Sequence, residues 1–106
     1  MAVIKTTDAD FVSVLQNKPL SIVKYYADWC GSCKLIAPKF RRLSEDERFS
    51  DIQFLEVNAE ENPDARHRSG VNNLPFFATF RGEIPAEGQA ASREESIIEL
   101  LENLQK

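Results

Sequence analysis

The sequence predicts one α/β domain over residues 1–106, built on a central mixed β-sheet with helices on both faces. Segments with strand and helix patterns alternate in the order βαβαβαββα, without a repeat, a low-complexity tract or a linker. Helical crossovers make neighbouring strands parallel, whereas the tight turn Arg81-Gly82-Glu83 pairs the last two strands antiparallel. A chain of 106 residues, 42% of them hydrophobic, can bury one core but not two.

The first four elements are a strand over residues 2–4, a helix over 8–16, a strand over 20–26 and a long helix from 30 to about 47. Apolar residues recur at helical spacing in the first helix, and Thr7 is placed to cap it. The second strand is rich in β-branched and aromatic residues, which favour strands. Pro38 should bend the long helix, because proline removes one helical hydrogen bond.

The remaining elements are a strand over 52–57, a helix over 61–68, strands over 76–80 and 84–87, and a last helix. Gly70 should end the third helix, and Ser92 should cap the last one. Pro85 cannot donate a ladder hydrogen bond, so its strand should lie at an edge of the sheet. The last helix is amphipathic, with apolar residues at helical spacing: Ile97, Leu100, Leu101 and Leu104.

The run WCGSCK, residues 29–34, contains both cysteines of the chain. It follows the second strand and opens the long helix. The unsatisfied N–H groups and the partial positive charge of a helix N-terminus stabilise a thiolate, which is the reactive form of cysteine. A cysteine pair in such a strand-to-helix turn is typical of a redox motif. This placement predicts Cys30 as a nucleophile and Cys33 as its resolving partner.

Other uses of two cysteines fit this sequence less well. A structural disulfide closing so short a loop gains only about 2 kcal/mol. A structural zinc site needs four ligands, and His67 is the only histidine that could join the cysteines. Covalent haem attachment needs a histidine after the second cysteine, where Lys34 stands. We therefore expect redox chemistry without a metal or cofactor, and we assign His67 no role.

Charge and hydropathy narrow the range of partners. The net charge of −4 argues against nucleic acid or an anionic membrane surface as the main partner. No apolar run reaches the length of a membrane span, and the first eight residues do not have the pattern of a signal peptide. We expect a cytoplasmic monomer, although an exported mature domain would share these features.

Several segments match one family in the same order along the chain. They are residues 25–34, 36–38 and 54–58 and the pair Leu74-Pro75, with Gly82 and Gly88 where that family has its hairpin and its last loop. On these residues the chain resembles the thioredoxin family over nearly its whole length. The resemblance implies a thioredoxin-like fold.

The resemblance also implies roles for individual residues. Cys30 would be the exposed nucleophile that attacks a substrate disulfide, and Cys33 would resolve the mixed disulfide and release the reduced substrate. Pro75 would be the family's cis-proline, facing the dithiol and holding the substrate backbone. Protein disulfides would be the substrates, and a thioredoxin reductase would be a possible electron donor. The residues that would bind the substrate are Trp29, Gly31, Ser32, Leu74, Pro75 and Gly88.

The chain departs from the family at two charged positions. Thioredoxins have a buried aspartate six residues before the nucleophile and in many members a lysine on the third strand; here these positions hold Lys24 and Glu56. A buried lysine needs a partner. We predict that Glu56 pairs with Lys24 and accepts the proton of Cys33. The alternative is that Lys24 extends to solvent and Glu56 is an unrelated surface charge.

Two further departures bear on function. Ser32 replaces the proline usual in this turn, adding a backbone N–H near Cys30, and this predicts a protein that is less reducing than thioredoxin. Asn72-Asn73 replace basic and glycine residues on the loop where reductases dock.

Three functions therefore stay open: a general protein-disulfide reductase, a dedicated exchange or isomerase protein with few clients, and a non-catalytic binding module.

Overall fold

The computed structural model describes residues 3–106, and within them it forms a five-stranded sheet with four α-helices. The strands are β1 (Val3–Lys5), β2 (Leu20–Tyr26), β3 (Ile52–Asn58), β4 (Phe76–Arg81) and β5 (Ile84–Ala90). The helices are α1 (Phe11–Leu15), α2 (Gly31–Ser44), α3 (Pro63–Ser69) and α4 (Glu94–Leu104), and a 3₁₀ turn spans Glu47–Phe49.

The strands are ordered β1-β3-β2-β4-β5 across the sheet. β3 pairs in parallel with β1 and β2, whereas β4 pairs antiparallel with β2 and β5. The sheet is therefore mixed, as predicted. β5, which contains Pro85, lies at its edge, which confirms the prediction from proline chemistry.

Helices cover both faces of the sheet, which confirms the predicted α/β class. On one face, residues of α1 and α3 such as Phe11 and Ala65 pack against the sheet. On the other face, residues of α2 and α4 such as Phe40 and Ile97 do so. β2 lies between the two cores, and its five inner residues are all buried.

Tyr25 ties β2 to α3. Its side chain is fully buried, and its hydroxyl donates a hydrogen bond to the carbonyl oxygen of Ala65 at 2.9 Å and lies 2.7 Å from the Ser69 hydroxyl. Burial raises the pKa of Tyr25 to about 12, because the charged phenolate would be poorly solvated there. The phenol therefore stays neutral and serves as a structural hydrogen-bonding group.

Two predicted helix caps are wrong. The N-cap of α1 is Asp10, whose carboxylate accepts hydrogen bonds from the Thr6 hydroxyl at 2.6 Å and the Thr7 N–H at 2.9 Å. These bonds lower the pKa of Asp10, the Thr6 contact most, and they fold the segment before α1 into a turn, so the helix begins later than predicted. The N-cap of α4 is Arg93, one residue after Ser92.

Other element boundaries also differ from the predictions. α2 ends at Ser44, and the chain then continues as the 3₁₀ turn. β5 extends to Ala90, three residues beyond the predicted end. Gly70 ends α3 in the left-handed conformation, with φ 62°, as predicted. Ala2, the predicted start of β1, lies outside the described residues.

The N-terminus of α3 is capped from a distant part of the chain. The carboxylate of Asp8 accepts hydrogen bonds from the N–H groups of Asp64 at 3.1 Å and Ala65 at 2.8 Å. In return, the N–H of Asp8 donates to the side-chain oxygen of Asn62 at 2.8 Å. These bonds satisfy the first-turn donors of α3 and fix the loop before α1 against it.

Replacing Asp8 should therefore weaken the fold. Asp8→Ala leaves the first-turn N–H groups of α3 without their acceptor, and we expect the free energy of unfolding to fall by about 1–2 kcal/mol in a urea melt. Glu61→Ala, at an exposed neighbouring position, is the matched control and should change it by less than about 0.5 kcal/mol. Equal stability of the two variants would contradict this account of the cap.

Candidate active site: a dithiol at the start of α2

The two cysteines lie where β2 passes into α2. Cys30 is the N-cap of α2, and Cys33 lies in its first turn. The residues are joined by a disulfide, with Cα atoms 5.3 Å apart. The N–H of Cys33 donates a hydrogen bond to Sγ of Cys30 at 3.1 Å. A donor of this kind, at a helix N-terminus, stabilises negative charge on that sulfur.

Both cysteines are enclosed in this disulfide form. Cys30 is 5% exposed and Cys33 3% exposed. They form a small apolar cluster with Ala27, against which Tyr26 and Leu74 pack. The expectation that Cys30 is exposed is therefore wrong for this state, because these side chains pack around it.

The Leu74–Pro75 peptide bond is cis, at the entrance to β4. The Leu74 N–H donates to the side-chain oxygen of Asn73 at 3.0 Å. The carbonyl oxygen of Pro75 accepts a hydrogen bond from the Ala91 N–H at 3.1 Å. The cis-proline predicted from the resemblance is thus present, next to the Leu74 side chain that covers the dithiol.

Gly88 does not lie in a loop, as the resemblance had suggested. It lies within β5 opposite Ala78, and a β-carbon on it would meet the Phe76 ring at 3.0 Å. The residues beside the cis-proline are Ala91, through its hydrogen bond to Pro75, and Ala90, which pairs with Phe76. Neither alanine was predicted from the sequence.

Trp29 stands out from the surface beside the dithiol. It is 67% exposed, and its indole N–H donates to a carboxylate oxygen of Glu60 at 2.7 Å. Gly31 and Ser32, in the turn of the cysteines, are also exposed. Glu60 was not identified from sequence, because it is 31 residues from Trp29. The exposed indole is held in one orientation and offers an apolar surface next to the disulfide.

Lys24 and Glu56 face each other across β2 and β3. They are register partners, and the Lys24 ammonium lies 3.3 Å from the Glu56 carboxylate. The side chain of Lys24 is 7% exposed and that of Glu56 29%. The ammonium also lies 5.5 Å from the ring centroid of Tyr26 and 5.6 Å from that of Phe40. The predicted pair is therefore formed, and the alternative in which Lys24 reaches solvent is wrong.

A cleft of about 260 Å³ joins this ion pair to the dithiol. Its lining residues are Lys24, Tyr26, Ala27, Asp28, Cys33, Lys34, Ala37 and Glu56. Burial raises the pKa of the Tyr26 phenol, so this group stays neutral near neutral pH. The charged groups inside the cleft are then the ammonium and the carboxylate, with Asp28 and Lys34 exposed at its surface.

Metal-binding clusters and membrane-spanning helices are absent from residues 3–106. No group of three or more His, Cys, Asp or Glu side chains is placed to hold a metal ion there. His67 is exposed on α3. None of the helices in this part of the chain has the length and apolar character needed to cross a membrane.

The sequence is similar to those of known thioredoxins. A thioredoxin family model matches residues 2–103. The thioredoxin of Staphylococcus aureus is 36% identical over 88 residues, which are 82% of this chain and 82% of that protein. Thioredoxin-T of Drosophila melanogaster is 40% identical over 76 residues, 71% of this chain, and the match spans 47% of that longer protein.

Solved structures share the fold. Thioredoxin f from spinach chloroplast (short form) has a TM-score of 0.90 at 19% identity, over 99% of this chain and 95% of that chain. A chain from the crystal structure of a ferredoxin:thioredoxin reductase and thioredoxin f2 complex has a TM-score of 0.86 at 23% identity, over 99% and 96% of the two chains. The family model, the Staphylococcus aureus relative and the dithiol together establish that the chain belongs to the thioredoxin family and is a thiol–disulfide oxidoreductase.

Proposed function

We propose that this protein reduces or exchanges disulfides in other proteins by a two-step reaction of its dithiol. Cys30 attacks one sulfur of the substrate disulfide and forms a mixed disulfide, while the other substrate sulfur leaves as a thiolate. Cys33 then attacks Cys30, which closes the Cys30–Cys33 disulfide and releases the second substrate sulfur. The observation that carries this proposal is the disulfide at the N-terminus of α2, covered by Leu74 beside a cis-proline.

The position of the sulfur atoms supports Cys30 as the nucleophile. Its sulfur is the one that accepts the N–H of Cys33 at the start of α2, so its thiolate is the better stabilised of the two. Cys33 lies in the first turn of α2 and borders the cleft that contains Glu56. It is therefore placed to lose a proton inside the protein after the substrate has bound.

The surface around the dithiol supports a protein segment as substrate. Trp29, Gly31 and Ser32 are exposed around Cys30 in the sequence, and the half-buried Leu74, which packs against the cysteines, precedes the buried cis-proline Pro75. An exposed indole and small exposed residues offer a surface on which a backbone segment can lie flat. Gly88 is not part of this proposed surface, since it packs against Phe76 within β5.

Glu56 is our candidate for the proton acceptor of Cys33, directly or through a water molecule in the cleft. Its carboxylate is 29% exposed and shares the cleft with Cys33. Lys24 holds this carboxylate at 3.3 Å in the middle of the sheet. A positioned carboxylate of this kind can act as a general base near neutral pH.

The electron donor and the cellular setting belong to the same proposal. A thioredoxin reductase is the donor we favour, and one structural neighbour comes from a ferredoxin:thioredoxin reductase complex. We place the protein in the cytoplasm as a monomer with one thioredoxin domain over residues 1–106. Ser32 and the exposed pair Asn72-Asn73 instead favour a dedicated exchange protein with few clients as the second candidate.

An insulin-reduction assay tests this function. Reduction of insulin with dithiothreitol as electron source should be accelerated by the protein, and no acceleration would leave only a non-catalytic binding module. Replacing dithiothreitol with NADPH and a thioredoxin reductase then separates the first two candidates. Turnover in the coupled assay supports the general reductase, and turnover with dithiothreitol alone supports the dedicated exchange protein.

The roles of the two cysteines can be separated by trapping. Cys33→Ser should accumulate a mixed disulfide with oxidised insulin on a non-reducing gel, because nothing remains to resolve it. Cys30→Ser should accumulate none, because it lacks the attacking sulfur. Adducts formed by Cys30→Ser in place of Cys33→Ser would reverse the assignment.

Ser32→Pro should make the protein more reducing. It removes a backbone N–H near the Cys30 sulfur and so weakens the stabilisation of the thiolate, moving the reduction potential toward that of thioredoxin, about −270 mV. Equilibration with glutathione measures the change. Ser32→Ala keeps the N–H and is the control, with no expected shift; a shift of equal size in both variants would remove the N–H as the cause.

Glu56→Gln should affect both stability and rate. It leaves the buried Lys24 ammonium unpaired, and we expect a loss of about 2 kcal/mol in unfolding free energy, between the values for exposed and fully buried pairs. It should also slow resolution of the mixed disulfide near neutral pH in stopped-flow experiments. Glu61→Gln, an exposed neighbour, is the control for charge alone.

The exchanged pair Lys24→Asp with Glu56→Lys restores the arrangement of the family. It should recover the stability and the rate lost in Glu56→Gln. If Glu56→Gln were as stable and as fast as the parent protein, the ion pair would have no part in the reaction.

A further inference from the structure

Lys24 places an ammonium group beneath the first turns of α2. Cys33, Ala37 and Phe40 are spaced i, i+4 and i+7, so they share one face of this helix. The ammonium lies 5.6 Å from the Phe40 ring centroid, and Lys24 lines the same cleft as Cys33 and Ala37. The positive charge is therefore directed at the helix face that carries the resolving cysteine.

Solvent screens the negative charge of Glu56 more strongly than the positive charge of Lys24. The Glu56 side chain is 29% exposed, whereas that of Lys24 is 7% exposed. Water screens an exposed charge far more strongly than a buried one. Although the pair is formally neutral, the ammonium is therefore the less screened of the two charges that share the cleft with Cys33.

The other groups around Lys24 do not offset its positive charge. On β1, Lys5 is the register partner of Glu56 and adds a second positive charge beside that carboxylate. Asp28 and Lys34 are both exposed and of opposite charge. On β4, the register partner of Lys24 is the uncharged Phe77.

We propose that Lys24 is a positioning residue that stabilises the thiolate of Cys33 and thereby makes the protein a weaker reductant. This inference rests on the dithiol function proposed above. Two glutathione molecules reduce the Cys30–Cys33 disulfide: its S–S bond breaks, one S–S bond forms in oxidised glutathione, and two hydrogens pass to the cysteines. Where Cys33 then loses its proton, the ammonium stabilises the charge left on sulfur. Because this stabilisation exists only in the reduced protein, it shifts the equilibrium toward the dithiol.

The ionisation of Cys33 gives the first test. In a Cys30→Ser background, the absorbance of the thiolate at 240 nm reports Cys33 alone. Lys24→Met keeps the length of the side chain and removes its charge, and we expect about a tenfold fall in the ionisation constant of the thiol. Lys34→Met removes an exposed cation from the same cleft and should change it by less than about twofold.

The equilibrium with glutathione gives the second test, with both cysteines present. Lys24→Met should shift the equilibrium about tenfold toward the disulfide, equivalent to about 30 mV, at a pH above the midpoint of the Cys33 thiol in both proteins. At a pH where both thiols are protonated in both proteins, the difference should vanish. A merely structural role of Lys24 would give a difference that does not depend on pH.

The double variant Lys24→Met with Glu56→Gln has no unpaired charge and provides the test if the single variant does not fold. Its Cys33 midpoint should lie above that of the parent. An unchanged or lower midpoint in the folded Lys24→Met protein or the double variant, or an equal shift in Lys34→Met, would overturn the proposal. The titration requires no turnover, so a failed insulin assay beside a shifted midpoint would reject only the proposed function.

Discussion

The ion pair between Lys24 and Glu56 is the interaction on which the site depends most. β2 lies between two apolar cores, and an unpaired ammonium in its middle would be strongly unfavourable. A slip of β2 against β3 by one residue would turn Lys24 toward the other face and break the pair. The pair therefore specifies the register of the two strands. It thereby also fixes where the chain leaves β2 and reaches the cysteines at the start of α2.

The disulfide lies between two parts of the fold, and each of them has its own hydrogen bonds. α2 supplies the N-cap sulfur and the N–H that reaches it. The start of β4 supplies Leu74 and the cis-proline, whose carbonyl oxygen is bonded to the Ala91 N–H after β5. The disulfide thus sits between the N-terminus of α2 and the segment that leads into β4.

Much of this arrangement could be predicted from local patterns in the sequence. The bounds of β2 and the helix end at Gly70 follow from β-propensity and from the conformational freedom of glycine. Two cysteines in a strand-to-helix turn give the position of the dithiol. The pairing of Lys24 with Glu56 could be inferred because a buried charge needs a partner on the neighbouring strand.

Contacts between distant segments could not be inferred in this way. Asp8 caps a helix 56 residues away, and Glu60 holds Trp29 across 31 residues, without a local pattern in either case. The position of Gly88 was missed because β5 extends three residues beyond its predicted end; a β-bulge between Thr79 and Phe80 then brings Ala90 opposite Phe76. The residue type of Thr7 fits a helix cap, yet its N–H donates to the Asp10 carboxylate, and the helix begins only after Asp10.

The coupling energy between Lys24 and Glu56 is the quantity that tests this account most directly. A double-mutant cycle with Lys24→Met, Glu56→Gln and the double variant isolates it from the effects of each single change. Urea unfolding of the four proteins, each fully oxidised, gives the coupling in free energy of unfolding. The account predicts a favourable coupling above about 1 kcal/mol, beyond the range of exposed ion pairs. A coupling near zero would contradict it, because the charge on β2 would then be stabilised without its partner.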